Sequence, residues 1–152
     1  MSVPDIDDDE MITWWGLVIE GYLATQERLM KEIAEEYGLS PAPFDILLRL
    51  VRSEGHRMQM TKLATEAALT SGGFTKVADR MVKAGLIRRE PCASDRRVTY
   101  AVLTEHGLAT ARAARRTGAE NLRQSVLAPL GPEQAAALAA AMRTLREVNA
   151  RQ

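Results

Sequence analysis

Apolar residues recur along most of this chain with a period near 3.6, and the period shortens to two in one brief region. Trp15, Val18, Ile19, Tyr22, Leu29, Met30, Ile33 and Tyr37 keep helical spacing over residues 11–37, and Gly38 ends the run. A second helix follows Ser40, its expected cap. Pro41 stands in the first turn, where a missing N–H costs nothing, and Phe44, Leu47, Leu48 and Val51 form the inner face. Residues 53–57 read as a loop and 58–60 as a short strand. Thr61 is the expected N-cap of a helix over 61–68, and a break through Leu69, Thr70 and Ser71 separates it from a helix ending near Ala84. In that helix Phe74, Val77, Ala78, Met81 and Val82 share one buried stripe, while Thr75, Lys76, Asp79, Arg80 and Lys83 lie off it. Gly85 takes the left-handed position at the helix end.

Alternation then takes over in 86–90 and 98–103, with a polar loop at 91–97 whose length makes its tip project into solvent. Thr104 caps a helix to about residue 127, which Pro129-Leu130-Gly131-Pro132 breaks. A final helix over 133–149 carries Leu138, Met142, Leu145 and Val148, and its alanine-rich middle permits close helix approach. The order helix, turn, helix, hairpin predicts a mainly α fold with a small β-wing, a winged helix-turn-helix whose second helix enters a major groove. Residues 1–10 read as an acidic tail without structure, and 11–152 as a single domain. Within it, 41–103 would read DNA, and the helices of 11–37 and 104–152 would pair two subunits. A helix as long as 11–37 cannot bury its stripe within one small subunit.

Several of these residues resemble the MarR family of regulators. Leu63-Ala64, Thr75-Lys76-Val77-Ala78-Asp79-Arg80, Gly85-Leu86-Ile87, Asp95-Arg96-Arg97, Leu103-Thr104 and Gly107 stand in that family's order, densely over residues 61–107. Gly72 and Gly73 depart from it, standing where the family more often has side chains that can touch bases. The resemblance implies a homodimeric repressor on a pseudo-palindromic operator, with Arg97, the second arginine of the wing motif, entering the minor groove. It also implies release by a small aromatic or anionic ligand acting between the dimer helices and the winged region. A ligand-independent or activating factor, or a winged protein-interaction module, is the alternative.

Net charge is zero, with 20 basic and 20 acidic side chains, which alone argues against a polyanionic partner. The distribution reverses that conclusion: residues 76–97 hold seven basic side chains against three acidic, while the first ten residues hold five acids. Counterion release depends on the local face and not on the sum. Candidate DNA contacts are therefore Ser71, Thr75, Lys76, Arg80 and Lys83 on the recognition helix. Ser71 lies near its N-terminus, where N–H groups favour a phosphate. On the wing the candidates are Asp95, Arg96 and Arg97; Asp95 cannot favour a phosphate, so its expected role is to orient an arginine, either Arg97 or Arg80. Arg88 and Arg89 alternate across a strand, so only one can face DNA.

Candidate ligand contacts are Trp15, Ile19 and Tyr22 on the first helix with Phe44 and Leu48 on the second. Packing within the core or between subunits accounts for each of these with fewer assumptions. Arg28 and His56 are conceivable anchors for an anion. Enzymatic chemistry has no foothold: His56 and His106 belong to no metal-binding spacing, Gly72-Gly73 lacks the lysine of a phosphate loop, and no base is available to Ser71. No cofactor or metal is expected. The lone Cys92 reads as an incidental thiol in a reducing compartment. With no apolar run near the ~20 residues that cross a bilayer and an acidic N-terminus, the expected location is cytoplasmic and away from membranes.

Overall fold

The computed structural model describes residues 3–67 and 71–150. Its helices are α1 (Asp8–Tyr37), α2 (Pro41–Arg52), α3 (Met60–Glu66), α4 (Ser71–Lys83), α5 (Glu105–Leu122) and α6 (Ala128–Asn149). Its strands are β1 (Arg57–Gln59), β2 (Ile87–Pro91) and β3 (Thr99–Leu103), antiparallel in the order β1-β3-β2. The chain divides into a winged unit, Glu32–Ala119, and a helical unit drawn from Met1–Lys31 and Glu120–Gln152. No helix of the described residues is long and apolar enough to cross a membrane.

In the winged unit the predicted stripes meet in one core. Ile46, Leu47 and Leu50 of α2, Leu63 of α3, Phe74, Ala78 and Met81 of α4, and Ile87 and Ala101 of the sheet are all buried. Central β3 pairs on both sides, with Met58 and Arg89 both opposite Ala101. Period two therefore puts Ile87 and Ala101 on the core face, and Arg57, Tyr100 and Glu90 on the outer one.

Several boundaries move. α1 starts at Asp8, within the stretch expected to lack structure. Asp7 accepts from the Asp9 N–H at 3.2 Å as a cap, and Asp8, Asp9 and Glu10 fill a first turn where the helix dipole favours acids. Ser40 occupies the cap position of α2 but its side chain makes no capping bond. The first strand lies one residue earlier than expected, and α3 starts at Met60, so Thr61 is inside the helix and does not cap it. Gly55 and His56, at φ 67° and 52°, make a left-handed turn into β1. The expected helix over 104–127 stops at Leu122 and continues as a π-helical stretch, Arg123–Leu127, while the proline-rich break becomes a kink at Gly131 within α6. The break through Leu69 and Thr70, and Ala68 before it, lie outside the described residues.

One joint ties the recognition helix to the sheet and to α5. At the end of α4, Leu86 N–H donates to Met81 O and Gly85 N–H to Val82 O, both at 3.0 Å, with Gly85 at φ 73°. Thr104 donates from its N–H to Leu86 O (3.1 Å) and from Oγ1 to Gly85 O (2.5 Å), and its Oγ1 accepts from Gly107 N–H at 2.9 Å, the expected cap of α5. Gly107 lies so close that a Cβ there would sit 1.8 Å from Leu86 O.

The helical unit is built differently. Every large hydrophobic side chain classed as exposed among the described residues belongs to it, from Met11, Trp14 and Trp15 on α1 to Leu145 and Val148 on α6, and α6 buries no residue.

Gly107→Ala should destabilise the winged unit by ~2–4 kcal/mol, because a backbone carbonyl, unlike the end of a flexible side chain, must move. Gly72→Ala, where nothing lies within 4 Å of the new methyl, should leave the unit as stable or slightly more so. Chemical denaturation followed by circular dichroism checks both.

Candidate nucleic-acid interface

The 3.6 period of α4 sorts its side chains. Phe74, Val77, Ala78 and Met81 are buried, and Thr75, Lys76, Asp79, Arg80 and Lys83 are exposed on the other side. The helix begins at Ser71, whose side chain lies outside the described residues. Lys76, Arg80 and Lys83 make no ion pair among the described residues, and Arg80 and Lys83 stand in the last turn, where the dipole favours cations. The structure thus brings four of the five expected helix residues to one open face.

The wing is closed at its base by Cys92 N–H to Val98 O (2.9 Å) and Val98 N–H to Asp95 O (3.1 Å). Beyond that closure Asp95 accepts three bonds from Arg97: from the backbone N–H (3.0 Å) and Nε (3.1 Å) at Oδ1, and from Nη2 (3.3 Å) at Oδ2. Of the two arginines left open by the sequence, Asp95 therefore orients Arg97. Those bonds hold its carboxyl below the usual carboxylate range. The Arg97 side chain is nonetheless 91% exposed, and Arg96 beside it is exposed without an ion pair among the described residues. Cys92 shares a 3.3 Å contact with Ser94 Oγ, which lowers the thiol from its ordinary value.

Arg88 and Arg89 are both committed within the protein, which the sequence did not anticipate. Arg89 donates from Nη2 to Asp79 Oδ1 of α4. Arg88 donates to Glu90 Oε2 and to Leu103 O, each at 3.4 Å. Glu90 also pairs with Arg57 at 3.4 Å, and the Arg57 guanidinium lies 3.9 Å over the Tyr100 ring. The three acids of residues 76–97 are thus each held by an arginine, while Lys76, Arg80, Lys83 and Arg96 remain for an outside anion. Arg57 and Tyr100 were not singled out in the sequence, although the period of two places them on the outer face.

The five candidate ligand residues divide between the units. Phe44 is 7% exposed in the core of the winged unit and Leu48 is half-buried there. Trp15, Ile19 and Tyr22 are exposed on α1. Tyr22 lines a groove of ≈ 440 Å³ within the helical unit, together with Leu17, Val18, Gly21 and Thr25, the π-helical Ser125 and Val126, and Pro129, Leu130, Leu138 and Met142. Arg28 is exposed, and His56 is half-buried with Nδ1 lacking a hydrogen-bond partner. No cluster of three or more His, Cys, Asp or Glu able to hold a metal occurs among the described residues.

Comparison with known proteins gives this interface its context. Residues 37–98 match the model of the MarR family. AbsC, a MarR family transcriptional regulator from Streptomyces coelicolor, is 33% identical, with 99% of this chain and 100% of that one aligned at a TM-score of 0.85. A second MarR family regulator from the same organism, solved in complex with DNA, is 29% identical over 97% of this chain and 92% of its own, also at 0.85. The HTH-type transcriptional regulator PecS of Dickeya dadantii is 28% identical over 132 residues, 86% of this chain and 78% of PecS. These relatives are regulators of transcription and not enzymes. A winged unit with an open cationic recognition helix, and likeness to AbsC over the full length of both chains, make this protein a member of the MarR family of DNA-binding transcription regulators.

Proposed function

We propose that the protein is a homodimeric cytoplasmic repressor that reads double-stranded DNA through α4 and the wing. The observation that carries this reading is the pairing pattern inside the winged unit. Each of the three acids of residues 76–97 is paired with an arginine, and Lys76, Arg80, Lys83 and Arg96 make no ion pair among the described residues and stay open to phosphates. Thr75 and Lys76 in the first turns of α4 are the side chains for base edges. Arg97, held by Asp95, is the one for the minor groove. The relative solved with DNA supports the same use of the fold here.

The helical unit supports a second subunit. Large apolar side chains, from Met11, Trp14 and Trp15 on α1 to Leu138, Met142 and Leu145 on α6, are exposed, and exposed apolar faces of this kind mark sites of association. A second copy, presenting the same faces, is the occupant that closes them with two-fold symmetry. Two reading heads then address major grooves ~34 Å apart, which calls for a pseudo-palindromic operator. Repression comes from excluding polymerase at that site.

Release by an effector fits the same unit. The helical groove of ≈ 440 Å³ is within the size of ligand pockets. Thr25 and Ser125 contribute hydroxyls to a lining that holds no Lys or Arg, so an aromatic neutral molecule suits this groove better than an anion. Such a ligand acts through its differential affinity for two dimer shapes.

A duplex selected from a random library by the purified protein provides the test. Arg97→Ala should weaken its binding by ~1–3 kcal/mol and lower the salt slope by about one; equal affinity of both proteins at two salt concentrations rejects the wing assignment. Sedimentation should find a dimer for the wild type and a monomer for the double substitution Leu138→Glu, Met142→Glu. A wild-type monomer at micromolar concentration would reject the paired reading heads.

A further inference from the structure

Asp79 is out of place by simple charge logic. It stands on the exposed face of α4 between Lys76 and Arg80, and its side chain is 60% exposed. A carboxylate there opposes an approaching polyanion. Arg89 is equally odd, an exposed cation near the reading face that is spent on an acid of the same chain.

The geometry of the turn between them explains both. The chain leaves α4 through the Gly85–Leu86 reversal and returns along β2. Ile87, the first residue of β2, is buried against the core. Arg89 lies two residues further on the same strand face and reaches back to Asp79, one helical turn before Lys83. Beyond it the hairpin carries Glu90, bonded on the outer face, then Pro91 and the loop with Arg96 and Arg97. Among the described residues the Asp79–Arg89 pair is the ion pair that joins the recognition helix to the hairpin.

We propose that Asp79 and Arg89 are positioning residues that fix the angle of the wing against α4, so that the arginine-tipped loop and the recognition helix reach DNA in one set relation. The proposal deepens the DNA-reading function above and rests on it. A two-point reader gains from such a brace, because the wing arrives without a separate ordering cost once α4 has docked.

The brace and plain charge counting predict opposite results for one substitution. By charge alone, Asp79→Ala removes a repulsive group and releases Arg89, which tightens binding and raises the salt slope by about one. By the brace, Asp79→Ala weakens binding about ten-fold, and the slope falls as the wing arginines disengage. Arg89→Ala should do the same, and the double variant should be no weaker than either single one, since both remove one interaction. Asp79→Asn, which keeps an acceptor for Arg89, should lie between wild type and alanine. Tighter binding by Asp79→Ala, or additive losses in the double variant, overturns the proposal.

A second measurement needs no DNA. Cys92 is the only cysteine and follows β2 directly, so a nitroxide attached there reports motion of the wing. Its spectrum should sharpen in Asp79→Ala and in Arg89→Ala, at temperatures where circular dichroism shows both folded; an unchanged line shape overturns the brace. Should wild type bind no duplex at all, the DNA reading falls, while the spin-label spectra still decide the brace.

Discussion

The winged unit depends on a close approach between two pieces of backbone. Gly107 lets the first turn of α5 come against the Leu86 carbonyl at a distance no side chain permits. Thr104 completes the joint, with its amide and hydroxyl on the carbonyls of the α4 reversal and its Oγ1 capping α5. Three elements are fixed there at once: the end of the recognition helix, the start of β2 and the return from β3 into α5. Hydrogen bonds of this kind contribute only ~1 kcal/mol each. Their value here is geometric, because they convert a loop reversal into a rigid corner from which both reading elements project.

Electrostatics refines what that corner presents. The excess of basic residues over 76–97 is real, yet it overstates what DNA can meet, since Arg88, Arg89 and Arg97 already hold Glu90, Asp79 and Asp95. Exposed pairs of this sort contribute little to stability, ~0–1 kcal/mol. They decide instead which cations stay open and which side chains are held in a fixed orientation. Arg97 belongs to both groups, oriented by Asp95 and still almost wholly exposed.

Most of the winged unit was legible in the sequence because its signals are local. The α4 stripe, the glycine at its end, the alternation of β2 and β3 and the cap at Thr104 each follow from side chains a few residues apart. Boundaries failed where the deciding group lies elsewhere. Asp7 caps α1 and draws Asp8, Asp9 and Glu10 into a helix that the apolar pattern alone would start at Met11. The candidate DNA contacts of α4 and the wing could be named from exposure and charge. The commitment of Arg89 to Asp79 could not, because it depends on how steeply β2 turns back along α4. The groove of the helical unit was the least legible feature: Tyr22 lines it, Phe44 lies in the core of the winged unit, and the lining includes π-helical Ser125 and Val126, a departure from regular helix that no apolar period announces.

The helical unit joins residues before 32 to residues after 119, which has a consequence for how the protein is made. Translation proceeds at about 5–20 residues per second. The part of the helical unit before residue 32 is therefore made first and the part after residue 119 last, and Trp14, Trp15 and Leu17 of α1 stay exposed even with α6 present. The chain thus displays a sticky helix surface from early in synthesis onward, a natural client for a chaperone that holds N-terminal segments.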